Sequence, residues 1–174
     1  DVCSSDLDCS NRHLRFQWQS IKDMEQRLNR PVDVFWGEAE AVFAALLHVY
    51  AVSKVFSYQE SGIEKSFLRD KAIAKLFAER GVAWQEFQRN GVLRGIKDRV
   101  DWDKRWFVTM AEPLIENHYR LSRFPQEEGP LLGSVTDDFA IPADWLRRLE
   151  APSVGMQLGG ESLAWRYLQG FLSD

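Results

Sequence analysis

Residues Phe56 to Met110 read FSYQESGIEKSFLRDKAIAKLFAERGVAWQEFQRNGVLRGIKDRVDWDKRWFVTM. They place a strand, a helix, a second strand and a tryptophan-rich connecting segment in that order. The first strand, Lys54 to Tyr58, is rich in β-branched and aromatic side chains. It leads through Gln59 to Gly62 into a helix over Ile63 to Arg80. Gly81 suits the left-handed position just past that helix, and Val82 to Phe87 returns as a strand. A helix of more than ten residues between two short strands predicts a βαβ unit, and hence a parallel sheet.

Toward the amino terminus, Leu14, Trp18, Ile21, Met24 and Leu28 recur in steps of three and four. This spacing predicts an amphipathic helix with Ser10 or Asn11 as N-cap, ended by Pro31. Val32 to Trp36 reads as a further strand, and Gly37 turns the chain into an alanine-rich helix over Glu38 to Tyr50. Toward the carboxyl terminus the periodicity stops after Gln88. Glycines and prolines punctuate residues 91 to 142, the composition of a long connecting segment, interrupted by a short helix around Trp102 to Met110. Asp144 to Leu149 has room for one or two helical turns. Gly159 and Gly160 precede a helix over Glu161 to Leu172, whose apolar stripe calls for a partner.

The chain has 174 residues, 45% hydrophobic and 28% charged, with a formal net charge of -4. That is the composition of a folded globular protein. It argues against binding nucleic acid through bulk charge, which needs clustered cations to displace counterions. No apolar run approaches the roughly 20 residues of a membrane span, and the start lacks the pattern of a signal peptide. The expectation is a cytoplasmic protein with no membrane partner. Cys3 and Cys9 have no accompanying pair, so no metal site is expected, and residues 1–7 (DVCSSDL) read as a non-native leader with the gene starting earlier.

The wording SYQESGIEKSFLRDKAI followed by WQEFQRNGVLRGIKDRVDWDKRW resembles the amino-terminal α/β domain of the DNA photolyase/cryptochrome family. The resemblance extends upstream through DCSNRHLRFQWQSIKDMEQRL and downstream to GGESLAWRYLQGFL. It implies a Rossmann-like parallel sheet with flanking helices, in the order 3-2-1-4-5. Val32 to Trp36, Lys54 to Tyr58 and Val82 to Phe87 would then be strands three, four and five. The first two strands have no counterpart, so strands three and four should flank a gap. The expected organisation is a partial α/β domain over 8–112, an interdomain linker over 113–158, and over 159–174 the start of a helical FAD-binding domain that lies beyond the chain.

By the same resemblance, the parent would be a deoxyribodipyrimidine photolyase, a monomeric flavoprotein that splits pyrimidine dimers in DNA with light. A cryptochrome-type blue-light receptor shares the same domains, and a non-catalytic Rossmann-like binding module is a third reading. FAD, its electron-transfer tryptophans and the lesion site would belong to the helical domain. No catalytic residue is therefore assigned here, and the chain alone is expected to be inactive.

One candidate site remains. Tyr58, Gln59, Glu60, Ser61 and Gly62 follow a strand at its carboxyl end, where open α/β sheets place ligands. A helix N-terminus favours an anion there, and Glu60 can accept hydrogen bonds from a pterin or flavin ring. The resemblance makes this loop the border of a pocket for an antenna chromophore, a folate or deazaflavin. The same residues also make an ordinary βα turn. No GxGxxG or GxxxxGK[ST] motif supplies a phosphate cradle. Arg69 and Asp70 read as an ion pair, a tie to the linker, or a solvated charged face. Between Arg89 and Arg105, six cations face three aspartates. Arg94, Lys97 and Arg99 are the candidate DNA contacts, with Trp102 and Trp106 as anchors of the linker.

Overall fold

The structure is a computed structural model. It describes residues 10–60, 64–88, 91, 94–113, 133–152, 155 and 157–173. The leader, both cysteines, Ser61, Gly62 and much of the expected linker lie outside the described residues. The chain is mixed α/β and divides into two compact units, Ala39–His118 and Asp1–Glu38 with Tyr119–Asp174.

The unit Ala39–His118 holds the sheet. Strand β1 (Lys54–Tyr58) pairs in parallel with β2 (Ala83–Phe87), Val55 opposite Trp84 and Ser57 opposite Glu86. The intervening α-helix (Glu64–Glu79) completes the expected βαβ unit. Its end follows the glycine rule: Gly81 has φ +69°, the Val82 N–H donates to the Phe77 carbonyl (2.9 Å) and the Gly81 N–H to that of Ala78 (3.3 Å). A preceding helix, Ala39–Val49, packs on the same face of the sheet. Ile73, Phe77 and Val82 are buried there against Phe43, Leu47, Val55 and Trp84. Phe77, 1% exposed, meets Phe43 and Trp84 edge-on at 5.0 and 5.5 Å.

Strand alternation sends the other side chains outward. Phe56 and Tyr58 are 61% and 67% exposed, and Phe56 stacks on the exposed Phe87 at 6.2 Å. Trp102–Met110 forms the short helix that the sequence predicts. In chain order these helices are α2 (Ala39–Val49), α3 (Glu64–Glu79) and α4 (Trp102–Met110), preceded by α1 (Asn11–Leu28).

α1 belongs to the other unit, with α5 (Gly133–Asp138), α6 (Ala143–Glu150) and α7 (Glu161–Ser173). Ser10 is its N-cap, and Asn29 ends it in the left-handed region at φ 49°, two residues before Pro31. Against the expected domain 8–112, α1 groups with α6 and α7. The reason is a row of polar side chains one helical turn apart, Gln19, Asp23 and Arg27. The Gln19 side-chain oxygen accepts from the Gly159 N–H (2.8 Å), the Asp23 carboxylate from the Ser162 N–H (3.1 Å), and Arg27 pairs with Glu161. A Cβ at Gly159 would collide with the Phe16 carbonyl, so only glycine allows this approach. On α6, the Arg148 carbonyl accepts from Arg15 Nε (2.6 Å) and Leu149 is buried.

The expectation of a strand at Val32–Trp36 is corrected. Val32–Trp36 forms no strand: β1 and β2 are the only strands among the described residues. Two of its backbone donors are satisfied elsewhere, the Val32 N–H by the Glu25 carboxylate (3.0 Å) and the Trp36 N–H by the Phe139 carbonyl (2.7 Å). With the Trp36 indole 5.1 Å from that of Trp145, side-chain packing holds the segment without a ladder. Within the segment expected as linker, α5 is a helix of six residues that the sequence reading did not give, with Val135 buried at 2% exposure. No helix among the described residues is long and apolar enough to cross a membrane.

Candidate functional site

The carboxyl ends of two parallel strands offer free backbone groups and the start of the next element, which is what makes this edge of a sheet receptive to ligands. In this protein that end carries Tyr58, the last residue of β1, with Gln59 and Glu60 after it, and Gln88 after β2. The Gln59 N–H donates to the Phe87 carbonyl (2.8 Å), which carries the parallel pairing one step past the strands. Tyr58 points to the exposed face beside Phe56, while Gln59 and Glu60 are half-buried. Three of the five predicted loop residues thus stand together at the expected end of the sheet.

What holds the loop is a four-residue charge cluster. The Arg94 guanidinium donates through Nε to the Glu60 carbonyl, through Nη2 to Asp70 Oδ2 (2.8 Å) and through Nη1 to Glu86 Oε1 (3.4 Å). The other carboxylate oxygen of Asp70 accepts from Arg69, at 2.8 and 3.1 Å. All four side chains are mostly covered, between 13% and 26% exposed. Two arginines against two carboxylates leave no net charge, and the fork of Arg94 spans three elements of the fold. Of the readings open for Arg69 and Asp70, the cluster contains both the local ion pair and the tie to the linker.

The predicted DNA contacts separate accordingly. Arg94 is turned inward with its charge neutralised, whereas Lys97 and Arg99 are exposed on the connecting segment. Glu86 escaped the sequence reading, although a signal was present. In AWQEF it shares strand parity with Trp84 and so faces inward, where a carboxylate requires a cation or donors.

The tryptophans of the linker also differ. Trp106 is half-buried, its ring 3.0 Å from where a Cβ would stand on the buried Gly91, which has φ +64°. Trp102 is more exposed and stacks on Trp106 at 6.4 Å. Beside them an open groove of about 340 Å³ is lined by Gln88, Gly91, Lys104, Arg105, Val108 and Thr109. Its cations are engaged, Lys104 with Asp101 (2.6 Å) and Arg105 with the Val100 carbonyl (2.8 Å). Trp84, by contrast, is a packing residue whose indole N–H donates to Ser57 Oγ (2.9 Å). Among the described residues, no three His, Cys, Asp or Glu side chains come together as a metal site would require.

Compared with models of protein families and with curated proteins, the chain matches none.

Proposed function

We propose that this chain carries the antenna-chromophore-binding α/β domain of a photolyase/cryptochrome-type flavoprotein, and that the complete gene product repairs pyrimidine dimers in light. The observation that carries the reading is the βαβ unit bearing the motif SYQESG. Tyr58, Gln59 and Glu60 stand at the carboxyl end of a parallel strand pair, the end where open α/β sheets bind ligands, and that position supports the reading. The half-buried position of Glu60 suits a carboxylate that accepts hydrogen bonds from a folate or deazaflavin ring. The antenna's part would be to absorb light and pass excitation to a reduced FAD. The FAD would donate an electron to the dimer and recover it after the ring opens. In this reading the flavin and lesion sites lie outside these 174 residues.

Two measurements test the proposal. The complete gene product, loaded with FAD, should remove thymine dimers from DNA under blue light. Retention of dimers by a flavin-loaded protein would redirect the reading to a cryptochrome-type receptor. Second, Glu60→Ala should weaken retention of the antenna about tenfold or more, the loss of one hydrogen bond to a charged group, with flavin content unchanged. Unaltered antenna occupancy would leave residues 58–62 as a βα turn and nothing more.

A further inference from the structure

The loop after β1 is held by an arginine that lies 34 residues later in the chain, beyond β2. Arg94 Nε donates to the Glu60 backbone carbonyl, while its two terminal nitrogens are fixed by Asp70 on α3 and Glu86 on β2. A guanidinium is planar, so three acceptors in one fork define the position of the group and of the carbonyl it holds. Arg69 on the far oxygen of Asp70 restrains the carboxylate in turn. The cluster is mostly shielded from water, which strengthens its charge-assisted bonds and penalises removing one partner. Next to Arg94 stands Gly95 at φ +70°, a backbone geometry that turns the chain immediately after the anchor.

From this geometry we propose that Arg94 is a positioning residue. It couples the conformation of the ligand loop at Gln59 and Glu60 to the connecting segment from Arg94 to Val100, so that occupancy of the loop is transmitted to that segment. The identity of the ligand rests on the antenna reading given above. The mechanical coupling does not. Because coupling between two sites is reciprocal, a ligand that orders Glu60 must also order the segment that holds it, and loosening that segment must weaken the ligand.

The test uses hydrogen exchange on the complete gene product in two arms. In the first, without ligand, Arg94→Gln should speed exchange roughly tenfold or more at amides 58–60 and 94–100, with the amides of α3 around Ile73 to Phe77 unchanged. Arg94→Lys keeps the charge and loses the fork, so it should fall between the wild type and Arg94→Gln, and it guards against a variant that fails to fold. Equal exchange in all three proteins, or acceleration spread evenly through α3, would overturn the proposal. In the second arm the probe is 5,10-methenyltetrahydrofolate. It should slow exchange at 94–100 in the wild type and bind Arg94→Gln about tenfold more weakly. Binding of equal strength to both, with no change at 94–100, would overturn the coupling and leave the antenna reading standing. A folate that binds neither, with the first arm as expected, would overturn the antenna reading and support the coupling.

Discussion

Phe77 and Asp70 show two ways of filling a position largely shielded from water. Phe77 is 1% exposed and meets two aromatic rings edge-on, so its truncation leaves a cavity lined by Phe43 and Trp84. Phe77→Ala should destabilise the unit by about 3–5 kcal/mol, a large part of a typical domain's margin of about 5–15 kcal/mol. Chemical denaturation followed by circular dichroism measures it, and a loss under about 1 kcal/mol would mean that the ring is not the keystone of this core. Asp70 occupies its position through charge. With an arginine on each oxygen, its carboxylate is compensated within a few ångströms, which is why a charged pair tolerates so little exposure here.

At the element scale, α7 is fastened by its first turn. The N–H groups at a helix start lack partners within the helix, and Asp23 of α1 supplies a carboxylate to that of Ser162. The hydrogen bond from the Ser162 side chain, then that from its backbone, with smaller help from the Glu161 N–H and the nearby Arg27, outweigh desolvation and hold the Asp23 carboxyl below its ordinary value of 3.8. A carboxyl whose value is depressed in the folded state stabilises fully above its unfolded value, and that stabilisation is lost as the pH falls through the lower folded value. The fastening of α7 should therefore be constant near neutrality and weaken in acid below about pH 4. Thermal unfolding midpoints of the wild type and Asp23→Asn, compared from pH 6 down to pH 3, should converge at the acid end. A difference that stays constant with pH would show that the carboxylate's charge is not what holds the helix. Glu25 is also held low: partial burial pushes it up, but the Lys22 ammonium and the Val32 N–H outweigh that, so the comparison with Asp23→Asn is needed to isolate one group.

At the scale of the whole molecule, the sheet sets the solution behaviour. Among the described residues β1 pairs with β2 alone, and its outward face carries Phe56 and Tyr58 with Phe87 beside them. An open apolar strand edge templates pairing with other chains. Residues 1–174 expressed by themselves should therefore self-associate, and Phe56→Lys, which puts a charge on the open face, should raise the monomer fraction. Size-exclusion chromatography with light scattering reads this directly. A stable monomer at high concentration, unaffected by Phe56→Lys, would show that the open strand is protected in solution.

The local elements and one supersecondary unit are legible in the chain's own spacing and residue types. Spacing of three and four residues marked α1 and α7, the glycine at position 81 marked the end of α3, and short β-branched and aromatic runs marked β1 and β2. These features rest on side-chain period and backbone preference, which act over a few residues. The sequence also placed residues 58–60 at the carboxyl end of their strand, because a βαβ unit leaves little freedom in that placement. The rest depends on long-range contacts. Val32–Trp36 has the composition of a strand, yet a strand exists only where a neighbour offers a ladder, and its donors went to Glu25 and Phe139. α1 carries an apolar face suited to a sheet, yet its polar row at Gln19, Asp23 and Arg27 met the start of α7. Arg94 has the composition of a phosphate contact, yet its guanidinium is spent on Glu60, Asp70 and Glu86. Each outcome turns at least in part on a distant partner, Phe139 for Trp36, Gly159 for Gln19 and Glu60 for Arg94, and pairings over that distance leave no local period in the sequence to be read.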